Sequence, residues 1–192
     1  MRNWRNLIIC LCLLLPLSGC VVYSLNPFYT EEKVIHYPEA LGEWECVEGC
    51  GGEFDFGRDW RFRDGSVEVT DREGRRTVLS ATFFRLGDTV FLDTTVPELD
   101  TADIAKIHLL PAHLLSRVEM GEDEETLRLT GLDYVWFRDA SAGLPFIVTE
   151  DTRVFVATPE QWASFLHERG GMEEIYGESF VLKRKKPAAS AG

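Results

Sequence analysis

From Trp60 to Thr130 the chain alternates apolar and polar side chains in short runs, each closed by a turn. Trp60-Arg61-Phe62-Arg63 and Ser66-Val67-Glu68-Val69-Thr70 flank Asp64-Gly65. An Asp-Gly pair between alternating runs is among the strongest local hairpin signals. Arg72-Glu73-Gly74 leads into a run from Thr77 to Arg85, which Gly87-Asp88 turns into Val90-Phe91-Leu92-Asp93. Further on, Leu115 to Met120 and Thr126 to Thr130 flank the acidic turn Gly121-Glu122-Asp123-Glu124-Glu125. Successive hairpins predict an antiparallel meander, and one with an apolar face curls into a barrel or packs under a helix.

Towards the C-terminus the period changes from strand to helix. A helix is predicted over 159–169, with Thr158 as N-cap, Pro159 in the first helical position and Gln161 three residues after the cap. Trp162, Phe165 and Leu166 share one face, and Gly170-Gly171 ends the helix. Shorter helices are predicted around Ala102–Ile107 and Asp133–Asp139, and a closing strand from Glu178 to Lys183. The expected fold class is mainly β, an antiparallel curved meander or barrel with one C-terminal helix and a closing strand.

The first 20 residues follow a different pattern. Arg2 and Arg5 precede an apolar run from Leu7 to Leu17, which is too short to span ~30 Å of hydrocarbon as a helix and matches the apolar region of a secretory signal. The run ends in Leu17-Ser18-Gly19-Cys20, which resembles the lipobox of bacterial lipoproteins in all four positions. The resemblance implies cleavage before Cys20, with Leu17, Ser18 and Gly19 as the signal-peptidase motif, and a diacylglyceryl group on the Cys20 sulfur. Two or three acyl chains hold a protein firmly to a membrane, at ~0.8 kcal/mol per buried CH₂. Val21 stands where an aspartate would signal inner-membrane retention, so the expected location is exported and lipid-anchored, at the outer membrane of a Gram-negative cell. The expected layout is a signal peptide over 1–19, a lipidated tether over 20–33, one β-rich domain over 34–184 and a disordered tail over 185–192.

Arg2 and Arg5 leave with the signal, so 18 of the 20 Lys and Arg remain against 32 acids, a net charge of −14. Such a chain is repelled by nucleic acid and by anionic headgroups. The basic cluster Lys183-Arg184-Lys185-Lys186 is expected to form a solvated end. With Cys10 and Cys12 removed and Cys20 lipidated, Cys46 and Cys50 are left as a candidate disulfide, because an even pair in an oxidising compartment most often bridges.

Gly42-Glu43-Trp44 opens the first strand, ahead of the meander. A G-x-W in that place resembles the first signature of the lipocalin-like (calycin) barrels. The resemblance implies that Trp44 closes the barrel floor beneath a basic residue near the C-terminal strand, Lys183 or Arg184. No second lipocalin signature is present, and only one clear strand follows the C-terminal helix. By alternation, the candidate inward residues are Trp60, Phe62, Val67, Val69, Phe83 and Phe91, which would serve equally as the lining of a cavity or as a filled core.

Other candidate chemistry is sparse. His108 and His113 are five apart with Pro111 between them, which does not place both on one helix face. Glu122 to Glu125 lacks the ligand spacing of a calcium loop. No nucleophile elbow, Walker loop, HExxH or GxGxxG occurs. No catalytic residue, metal site or cofactor is expected. The expected partners are the membrane, through the lipid, and either a small apolar ligand or another envelope protein. The leading expectation is a carrier of an apolar ligand or lipid, and the alternative is a structural or adaptor lipoprotein.

Overall fold

The computed structural model of the protein describes residues 21–51, 55–97, 111–139, 143–149 and 152–186. Its strands are β1 (Tyr23–Ser24), β2 (Gly42–Glu48), β3 (Asp59–Arg63), β4 (Ser66–Thr70), β5 (Arg76–Leu86), β6 (Thr89–Thr95), β7 (His113–Met120), β8 (Thr126–Leu132), β9 (Phe146–Thr149), β10 (Thr152–Phe155) and β11 (Tyr176–Arg184). The α-helices among the described residues are α1 (Tyr134–Asp139) and α2 (Pro159–Arg169). The predicted helix around Ala102–Ile107 and the lipobox lie outside the described residues.

Strands β2 to β8 each pair antiparallel with the next, and β11 pairs antiparallel with both β8 and β2. The eight strands therefore close into an antiparallel barrel, the architecture that the lipocalin-like resemblance implies. The single strand after α2 is enough, because β11 fills the gap between the first and the last strand of the meander. Eight strands leave an interior just wide enough for side chains to fill or for one small ligand.

Two cores result, one on each side of the barrel wall. Trp60, Phe62, Val67 and Phe83 point inward together with Trp44 and Leu92, and Val69 packs against this cluster. Phe91 does not. The Gly87-Asp88 turn sets a register in which Phe83 faces Leu92 and Phe84 faces Phe91. Since side chains alternate faces, Phe84 and Phe91 share the outer face, with ring centroids 5.2 Å apart. They belong to a second core under α2, with Trp162, Phe165 and Leu166. Alternation is masked in β5 and β6 because both of their faces are apolar and both are covered.

Helix α2 begins with a complete capping box: Thr158 accepts from the Gln161 backbone N–H, and the Gln161 side chain accepts from the Thr158 N–H. Its Trp162 packs on Phe28 at 4.5 Å between ring centroids and on Phe155 at 5.5 Å. Phe28 belongs to the stretch read from the sequence as a lipidated tether, and it packs on the domain. Val22, Ser24 and Phe28 are buried, and β1 lies parallel to β10 and touches the start of β7. The segment has no period of its own because side-chain contacts, rather than a long ladder, hold it. Hairpin β9–β10 extends this small annex, with β9 at its edge.

Candidate functional site

The barrel floor is the most completely built polar arrangement. Gly42 adopts φ +124°, a conformation that favours glycine, and a Cβ there would meet the Arg184 guanidinium at 3.1 Å. That opening lets Arg184 lie over the Trp44 ring, 4.1 Å from its centroid. Its Nε donates to the Glu124 carbonyl (3.0 Å) and one terminal nitrogen to the Leu41 carbonyl (2.9 Å), while the other donates to the Glu39 carbonyl. Trp44 Nε1 donates to the Ala40 carbonyl at 2.8 Å. The site ties the chain before β2, the β7–β8 turn and the end of β11 into one closure. The acidic turn Glu122 to Glu125 thus supplies backbone carbonyls to the floor.

Above the floor the interior is filled. Trp44, Val67, Leu127, Leu129 and Leu182 are fully buried, with Leu92 and Phe62 nearly so. A void wide enough for a water-sized probe would leave such walls accessible. The Trp60 indole N–H is buried and has no hydrogen-bond partner among the described residues.

Cys46 and Cys50 are joined by a disulfide, with Cα atoms 6.1 Å apart. Gly49 inside the loop has φ +77°, and a Cβ there would strike the Ser179 carbonyl at 2.3 Å. Of the basic end expected to be solvated, Lys183 and Lys186 are exposed and the two residues between them are engaged. Arg184 belongs to the floor, and Lys185 Nζ pairs with Asp59. Burial pushes the Asp59 carboxyl up, but the hydrogen bonds and charges of Lys185 and Arg58 outweigh it and hold it below its ordinary value. Lys185 also borders an open groove of about 320 Å³ on the outer face of β2 to β4. Its cations there are paired with acids, Arg58 and Lys185 both with Asp59, Arg61 with Glu43 and Arg76 with Glu68.

His113 makes one contact of note, its Nδ1 lying 2.7 Å from Oδ1 of the buried Asp93. The other carboxylate oxygen of Asp93 accepts from the Phe28 backbone N–H at 2.9 Å. Nearby, Ser24 Oγ accepts from Trp162 Nε1 at 3.0 Å, and Asn26 Nδ2 donates to the Ala157 carbonyl at 3.0 Å. Together these bonds fasten residues 24–28 to the barrel wall. They are a clamp rather than a reaction centre, because the Ser24 hydroxyl is occupied by Trp162 and Asn26. His108 lies outside the described residues. No cluster of three or more His, Cys, Asp or Glu that could hold a metal occurs among the described residues, and none of their helices is long and apolar enough to cross a membrane.

Two features escaped the sequence reading. The Asp93 clamp has no local signature, since its partners come from residues far apart in the chain. The β9–β10 hairpin was legible: Phe146-Ile147-Val148-Thr149 and Thr152-Arg153-Val154-Phe155 are short β-prone runs around an acidic pair. No family model, curated protein or solved structure matches this chain.

Proposed function

We propose that this protein is a membrane-anchored envelope lipoprotein that acts as a structural or adaptor module, binding another envelope protein through the outside of its barrel. The lipobox Leu17-Ser18-Gly19-Cys20 supports the anchor, and Val21 supports the outer membrane where the cell has one. The observation that carries the adaptor reading over the carrier reading is the filled interior. A carrier of an apolar ligand needs an open space of roughly 300 Å³ or more, whereas the side chains of Trp44, Leu127, Leu129 and Leu182 pack into the inner core at zero exposure.

The carrier reading keeps one supporting observation, the unpartnered Trp60 indole N–H, which a ligand oxygen could accept from. Native mass spectrometry on protein purified from an envelope decides between them. The adaptor reading expects no extra mass beyond the covalent lipid and no uptake from a mixed lipid extract. A reproducible non-covalent mass released by organic solvent would return the carrier to first place.

A further inference from the structure

Strand β9 is exposed on every residue, and its first three residues are apolar. Phe146 is 40 % exposed, Ile147 46 % and Val148 63 %, and no strand covers the far side of β9 among the described residues. Such a stretch on a soluble domain marks a surface that something covers. Where the N-terminal chain ends indicates what covers it. Val22 is buried at 2 % exposure, so Cys20 precedes the folded body by two residues, at most ~7 Å of chain. Strand β1 begins at Tyr23, whose register partner is Val154 on β10, and Val154 in turn faces Ile147 on β9. Two strand spacings, ~10 Å, therefore separate the β1 backbone from β9. Because β1 and β10 are parallel, continuing that register places Val148 level with Val22, and exposure rises along β9 towards that end.

We propose that the bilayer holding the Cys20 lipid covers β9, so that Phe146, Ile147 and Val148 rest in its interfacial layer. This rests on the reading of Cys20 as the lipidated residue. With almost no slack between the lipid and the buried Val22, the annex lies against the membrane rather than swinging on a tether. Depth follows from the backbone. The Val156 N–H donates to the Pro145 carbonyl, which makes 145 and 156 a hydrogen-bonded pair. By antiparallel alternation, Ile147 and Thr149 also bond to β10, while Phe146 and Val148 point their N–H and C=O groups away from it. Unpaired backbone groups are costly in hydrocarbon but are satisfied among hydrated headgroups. The Arg153 guanidinium, 4.3 Å over the Phe146 ring, adds a polar cap of the kind that sits at that level. A net charge of −14 on residues 20–192 selects zwitterionic over anionic headgroups.

The test uses the full chain, exported and lipidated in a bacterial host, checked by intact mass and reconstituted in phosphatidylcholine vesicles. With Cys20 acylated and Cys46 bridged to Cys50, Val148→Cys introduces a single reactive thiol for a bimane label. The control is Asp64→Cys in the β3–β4 turn; β3 lies four strands round the barrel from β7. The bimane at 148 is expected to lose most of its fluorescence to brominated acyl chains and little to aqueous iodide, with the reverse at 64. Equal iodide quenching at both sites overturns the proposal. Shielding at 148 from both quenchers also overturns it, since a protein strand would then lie on β9. Absence of a diacylglyceryl mass on Cys20 is a separate failure, visible before any fluorescence, that removes the anchoring reading itself and this proposal with it.

Discussion

Arg184 shows how much one side chain can fix when its surroundings are shaped for it. Its guanidinium covers the Trp44 ring and donates to three carbonyls from two separate segments, behind a glycine that leaves it room. Arg184→Ala is expected to lower unfolding free energy by about 2–3 kcal/mol in a urea titration, from the lost ring contact and the stranded carbonyls. Arg184→Lys should recover only part, because an ammonium cannot span the same acceptors. Tyr176 sets a limit at the other end of the pH scale. Burial pushes its phenol up to about 12 against the opposing charge of Arg117, and its hydroxyl donates to the Gly170 carbonyl at 2.6 Å. A folded-state value above the ordinary 10 means that the neutral phenol stabilises the fold fully below pH 10. That contribution is lost as pH rises from 10 to about 12. Thermal melts across this window should show a falling midpoint that Tyr176→Phe flattens, and an unchanged slope in that variant would remove the assignment.

At the scale of elements, the N-terminal segment behaves as part of the wall. Asp93 accepts from the Phe28 N–H and binds His113, while Trp162 and Asn26 bond around Ser24 and Ala157. Asp93→Ala is expected to cost about 2–3 kcal/mol, since it strands a buried N–H and removes hydrogen bonds to a charged group. Hydrogen exchange should speed up over residues 22–28 and leave the β2–β4 amides protected; uniform acceleration would mean that the clamp belongs to the global fold instead. The turns that carry the meander and the capped helix α2 were readable because each is local: Asp64-Gly65, Gly87-Asp88 and the Thr158–Gln161 box act within a few residues. The face of Phe91 was not readable. It depends on hairpin register in strands whose two sides are equally apolar, and only pairing to Phe84 decides it.

For the molecule as a whole, the eight described barrel strands close without an edge, and β9, at the edge of the annex, carries three consecutive exposed apolar residues. Cys20→Ala is expected to stay unprocessed or to leave the membrane fraction, measured by cell fractionation and mass; normal anchoring of this variant would overturn the lipoprotein reading. The sequence by itself determined the strand-rich class, the C-terminal helix and the G-x-W at the start of the first strand, and it carries the lipobox on which the proposed export rests, because each is written in neighbouring residues or in a fixed period. Tertiary structure alone decided that the interior is full and that a second core covers the outside of the barrel. It also decided that the stretch expected to be a tether is sewn to the wall. Those outcomes depend on which of two apolar faces turns inward and on contacts between residues more than 60 positions apart. No local pattern in the chain encodes either.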